Sequence, residues 1–203
     1  MRSTGEVLGL AENFPLAFYK SQVGSGTACG AKTVQWTVFS DSPSSCAAKA
    51  AGSELPHAPA AWENKKVLIS LSNKEGQKNQ VLEIGKTLKD LGFTLVGTQG
   101  TADFYNANGI KCDVVNKIGA GRPDVVDLIM NKEVCLVINT PKAKRNYAED
   151  RKTIRKACLK YKVSYITTIA GALAAVKGIE SVKNGNGGEG GVKSLQEYHS
   201  LIK

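Results

Sequence analysis

Histidine is scarce in this chain: only His57 and His199 occur, and neither has a second ligand-type residue near it. The cysteines, Cys29, Cys46, Cys112, Cys135 and Cys158, are odd in number and include no C-x-x-C pair. Together these absences argue against a metal centre. Three of them, Cys112, Cys135 and Cys158, sit in core-like patterns, which fits reduced thiols in a cytosol-like compartment. No apolar run approaches the roughly 20 residues needed to cross a bilayer, and no apolar h-region follows the first residues, so neither a membrane span nor a signal peptide is expected. Much of the net charge of +9 lies between Lys142 and Lys162. No aromatic residues interleave there as stacking platforms. The run therefore reads as a solvated face or a surface for an anionic partner, and nucleic acid is not the expected partner.

What remains is a globular composition, 42% apolar and 22% charged, over 203 residues, enough for one core with appendages. Residues 1–22 read as the tail of a preceding unit. In it Asn13 caps a short helix with Pro15 in its first turn, and Leu16, Phe18 and Tyr19 form an apolar face that must dock elsewhere. Residues 23–63 are dominated by Gly, Ala, Ser and Pro and read as linker or insertion, apart from a possible strand at Thr33–Phe39. Residues 64–203 are regular. Strands are expected at Lys66–Leu71, Phe93–Thr98, Ile110–Val115, Val134–Ile138 and Val163–Thr168. Helices are expected at Asn79–Leu91, Thr101–Asn108, from Pro123 through Ile129, at Asp150–Lys160, Ala170–Ile179 and Ser194–Ile202, with a flexible stretch at Gly185–Gly191. Strand and helix alternate about five times, so the expected fold is α/β, a five-stranded parallel sheet with helices on both faces.

Ligands of such sheets lie beyond the carboxyl ends of the strands. Those ends carry Ser70, Thr98, Asn116-Lys117, Asn139-Thr140 and Thr167-Thr168, each polar after an apolar run. The second end, Thr98-Gln99-Gly100-Thr101, opens into a helix, whose N-terminal N–H groups and dipole attract an anion, usually phosphate. Gly100 admits close approach of the ligand to the backbone, two threonine hydroxyls can donate, and Lys117 and Lys78 supply cations. An ordinary corner with Thr101 as N-cap is the simpler reading of the same residues. The edge holds Thr, Ser, Asn and Lys, which are binding residues. The acids Asp124, Asp127 and Asp150 have no histidine beside them in sequence, so the pattern favours a binding module over a catalyst.

An ordered set of segments carries a resemblance. It includes Val67-Leu68-Ile69-Ser70, Thr98-Gln99-Gly100-Thr101-Ala102, Val115-Asn116-Lys117, Gly121-Arg122-Pro123, Leu136-Val137-Ile138-Asn139-Thr140 and Tyr161 through Thr168. With these pieces the chain resembles the methylglyoxal-synthase-like, allosteric domain that closes the large subunit of carbamoyl phosphate synthetase, with a Rossmann-like fold. Met1-Arg2-Ser3-Thr4-Gly5-Glu6-Val7 resembles the segment leaving that enzyme's second ATP-using unit, so a C-terminal fragment without the ATP-grasp machinery is implied. The resemblance implies an allosteric nucleotide, UMP or IMP, whose phosphate lies against Lys78, Thr98, Gly100, Thr101 and Lys117. Ser70, Asn139, Thr140 and Asp150 would hold ribose or base, and Thr167 matches a position on the ornithine-sensing face. It further implies no cofactor in this part, although the parent enzyme uses ATP with Mg and K ions. The implied partners are the rest of the large subunit and, through it, the glutaminase small subunit. The lyase of the same fold, which acts on dihydroxyacetone phosphate, should carry a Gly-Gly-Asp-Gln-Gln segment before the third helix. Here that place reads Gly119-Ala120-Gly121-Arg122-Pro123. The inosinate cyclohydrolase domain resembles Ser72–Gly76 but should carry a His-containing segment that is absent.

Overall fold

Five short apolar runs assemble into one parallel sheet in the computed structural model, which describes residues 7–27, 29, 65–71, 76–140, 148–184 and 195–200. The expected strand at Thr33–Phe39, the Gly185–Gly191 stretch, Cys46 and His57 lie outside these residues. In chain order the elements are α1 (Phe14–Gly24), β1 (Lys66–Ser70), α2 (Lys78–Asp90), β2 (Thr94–Thr98), α3 (Gln99–Ala107), β3 (Asp113–Val115), α4 (Val125–Met130), β4 (Val134–Asn139), α5 (Ala148–Tyr161), β5 (Ser164–Ile166), α6 (Ile169–Lys183) and α7 (Leu195–Ser200). The sheet order is β3-β2-β1-β4-β5 and every pairing is parallel. This is the expected α/β fold.

The inner strands β1, β2 and β4 bury both faces, as their continuous apolar runs require, whereas the edge strand β3 exposes Asp113 and Val114. Val67, Ile69, Leu95, Leu136 and Ile138 face a cluster closed by α1, α2, α3 and α6. Leu68, Val96, Val115 and Val137 face a second cluster closed by α4 and α5. The period of two along β1 thus feeds both layers. On α2, Val81, Ile84 and Leu88 form the buried stripe, and Gly92, at φ +84°, turns the chain back into β2.

Several expected boundaries move, each for a visible reason. The third strand starts at Asp113 rather than Ile110, because the Asn106 side chain pairs with both the N–H and the carbonyl of Cys112 at 3.0 Å. The fourth helix starts at Val125 rather than Pro123. Asp124 is its N-cap, and the carboxylates of Asp124 and Asp127 form a reciprocal capping box. The last strand stops at Ile166, since Thr168 caps α6 by accepting from Gly171 N–H at 3.1 Å. Leu159 does not point inward with Ile154, Ala157 and Cys158 but is exposed. It stands five residues past Ile154, about 140° round the helix.

Helix α1 begins as expected, with the Asn13 side chain accepting from Leu16 N–H at 3.0 Å, and it docks on α6 through Leu16 and Tyr19. Gly178 makes that approach possible: a Cβ there would stand 2.5 Å from the Pro15 carbonyl oxygen. The reduced-thiol expectation fails at Cys135, which is disulfide-bonded to Cys29, whereas Cys112 and Cys158 are free and buried. The β1–β4 register shifts between Lys66 and Val67, whose partners are Val134 and Leu136, and Cys135 falls in the gap. Cys29 comes from a segment whose composition shows no tertiary destination.

Candidate functional site

Strand order decides where a ligand can sit. From β1 the sheet runs one way through β2 and β3 and the other way through β4 and β5, so the chain reverses direction at the carboxyl ends of β1 and β4. Register sets Ser70 opposite Asn139, and Thr140 N–H donates to the Ser70 carbonyl at 2.9 Å. Thr98 pairs with Val115, and Asn116-Lys117 follows directly. Ser70, Asn139 and Thr140 therefore flank this crevice. Thr98 stands one strand out at the end of β2, Asn116-Lys117 follow the edge strand β3, and Thr167 follows the other edge strand, β5, and is exposed.

The Thr98–Thr101 turn is organised differently from the simple corner. Thr98, not Thr101, is the N-cap of α3, and its side chain makes no capping bond. Gly100 is exposed on the first turn. Thr101 is 1% exposed, and its hydroxyl oxygen accepts from Leu71 N–H at 3.2 Å, which ties α3 to the end of β1. Gly97 permits this closeness. A Cβ there would lie 3.1 Å from the Ile69 carbonyl oxygen and 3.4 Å from Ala102 N. The Thr101 hydroxyl still has its own proton to donate.

Asn139 is 7% exposed, and its amide donates to the Tyr165 hydroxyl at 3.3 Å. Tyr165 is the residue that sequence reasoning missed. Its available signal was a tyrosine in an apolar edge strand beside a strand ending in Asn. Burial chiefly pushes the Tyr165 hydroxyl up, against the Asn139 hydrogen bond, while Arg155 and Arg151 act in the same lowering sense. Lys78 opens α2 and is exposed, and Lys117, also exposed, begins a turn closed by Ala120 N–H at 3.1 Å. Asp150 is half-buried in the first turn of α5.

The two acids nearest the place of a lyase's catalytic carboxylate are committed to structure. Asp124 accepts from Val126 and Asp127 N–H at 2.8 and 3.0 Å. Asp127 accepts from Asp124 N–H and from the Arg122 guanidinium, each at 3.1 Å. Among the described residues no cluster of three His, Cys, Asp or Glu could hold a metal ion, and no helix is long and apolar enough to cross a membrane.

The family model described as the MGS-like domain matches residues 80–167, from the first turn of α2 to the end of β5. Residues 80–167 belong to the MGS-like domain family. It is 39% identical over 199 residues to a carbamoyl phosphate synthase large chain from Archaeoglobus fulgidus, covering 98% of this chain and 15% of that one. A carbamoyl phosphate synthase large chain, C-terminal section, from Methanopyrus kandleri is 38% identical over 183 residues, 90% of this chain and 28% of its own. The corresponding section from Aquifex aeolicus is 35% identical over 203 residues, covering 99% and 31%. This chain thus spans less than a third of the length of each of these three relatives. In this MGS-like domain the matched span holds the Thr98–Thr101 turn, Lys117, Asn139, Thr140, Asp150 and Thr167, while Ser70 and Lys78 precede it.

Proposed function

We propose that this MGS-like domain binds an allosteric nucleotide, of the UMP or IMP type, and through it controls carbamoyl phosphate synthesis for pyrimidine and arginine biosynthesis. The remainder of a synthetase large chain, and a glutaminase subunit beyond it, are the partners in this reading. One observation carries it. The N-terminus of α3 opens at the carboxyl end of β2, the strand beside β1, with Thr98 making no side-chain capping bond and Gly100 exposed. The positive end of the helix dipole favours an oxyanion. Thr98, Gly100 and Thr101, with the cations Lys78 and Lys117, are assigned to the phosphate. Ser70, Asn139, Thr140 and Asp150 are assigned to ribose and base, and Thr167 to a face that senses ornithine. Because the nearby acids serve as helix caps, the ligand is held rather than turned over.

Calorimetric titration of the full chain with UMP, IMP and dihydroxyacetone phosphate tests this. A nucleotide should bind, and Thr98→Ala or Lys117→Ala should each weaken it by about 1–3 kcal/mol, the range for a charge-assisted hydrogen bond. Absence of binding by either nucleotide sinks the effector reading. Conversion of dihydroxyacetone phosphate to methylglyoxal would replace it with a lyase.

A further inference from the structure

The Cys29–Cys135 bond joins two parts of the molecule that are 106 residues apart in sequence, with Cα atoms 5.1 Å apart. Cys29 stands just past the end of α1, where Thr27 N–H returns to the Gln22 carbonyl at 3.0 Å. Cys135 stands at the start of β4, at the point where the β1–β4 register shifts. The bond therefore fastens the exit of α1 to a central strand. Helix α1 otherwise rests on α6 and the sheet through Leu16, Tyr19 and a hydrogen bond from the Ser164 hydroxyl to the Gln22 side chain at 3.2 Å. Closing a loop of this length removes much freedom from the undocked chain, so the bond weighs heavily on whether α1 stays docked.

We propose that Cys29 and Cys135 form a redox-operated clip that locks α1 onto the sheet, opened by a dithiol reductant and closed by a small-molecule disulfide. In opening, a reductant thiolate attacks one sulfur. The other leaves as a thiolate and takes up a proton. The second reductant thiol then displaces the mixed disulfide, so the protein gains two electrons and two protons and the reductant becomes a disulfide. Closing by glutathione disulfide is the reverse exchange and releases two glutathione thiols. Cys135 keeps partial exposure while Cys29 is buried, which makes Cys135 the side open to attack. The other described thiols are poor competitors: Cys112 and Cys158 are buried, which favours their protonated forms. Strand β4 stays paired to β1 and β5 beyond Cys135, so opening acts on α1 and leaves the Asn139 end in register.

The test uses the full chain equilibrated with glutathione disulfide or with dithiothreitol, followed by differential alkylation, peptide mapping and hydrogen exchange. A Cys29–Cys135 linked peptide is expected only after oxidation. Reduction should speed amide exchange across Phe14–Gly24 by about tenfold or more while β4 keeps its protection. Cys29→Ser should exchange quickly in both conditions. Gly178→Ala, which drives a Cβ against the Pro15 carbonyl, should loosen α1 in both without touching sulfur. Equal α1 exchange in the two redox states overturns the proposal, as does a bridge made by Cys46 or recovery of both thiols after oxidation.

Discussion

Leu71 N–H donates to the Thr101 hydroxyl across 3.2 Å, joining the residue after β1 to the first turn of α3. Two segments distant in sequence, following β1 and β2, are held together by one hydrogen bond at the carboxyl edge of the sheet. The residue that composition marks as a phosphate ligand is also a structural clasp. Its two roles separate experimentally.

Thr101→Val keeps shape but removes the acceptor, leaving a backbone N–H unpaired beside a side chain that is 1% exposed. Denaturant unfolding should show a loss of about 1–3 kcal/mol. Thr98→Ala, at a half-buried position without a capping bond, should stay within about 0.5 kcal/mol of the parent. Equal losses in the two variants would refute the clasp.

Gly97→Ala adds a methyl 3.1 Å from the Ile69 carbonyl oxygen and 3.2 Å from the Cys112 sulfur, inside a central strand. The expected cost is about 1–3 kcal/mol, as for overpacking in general. Because the same methyl presses on Ala102 N, nucleotide affinity should fall as well. A thermal melt and a titration on one sample check both.

Asp124→Ala removes the side chain that accepts from Val126 and Asp127 N–H. Stability should drop by about 0.5–2 kcal/mol, the range for a lost N-cap. Nucleotide binding should be unaffected, since this acid is assigned to the helix and not to the ligand. A large loss of binding without a change in melting would assign it to the site after all.

Alkaline pH provides a further check. Burial, reinforced by Asp113, pushes the Cys112 thiol from 9.0 up to about 11, and burial pushes Cys158 to about 12 and the Tyr19 hydroxyl from 10.0 to about 12. Below about 9 both folded and unfolded chains keep the Cys112 proton, so this group's contribution to stability is complete and flat. Between 9.0 and about 11 only the folded chain keeps it, so stability falls as pH rises through that window. Urea midpoints should be level from about pH 7 to 8.5 and then decline. Cys112→Ala should flatten the first part of the decline. A midpoint that holds steady to pH 11 in the parent would contradict the burial of these groups.

Sequence alone was enough for the alternation of strands and helices, the Asn13 cap and the polar strand ends. Each of these rests on local periodicity or on a side chain reaching its own neighbours. It was also enough for the family, through segments in a fixed order. Other features depend on partners distant in sequence. The order β3-β2-β1-β4-β5, which makes β1 and β4 the switch point, depends on crossovers that no single segment encodes. The burial of Thr101 depends on Gly97 yielding space, and the Asn139–Tyr165 hydrogen bond spans 26 residues. The Cys29–Cys135 bond needs a register shift in β4 and the return of a segment whose composition reads as linker. Periodicity reports which face of an element meets the core, whereas packing between distant elements decides which element that face meets.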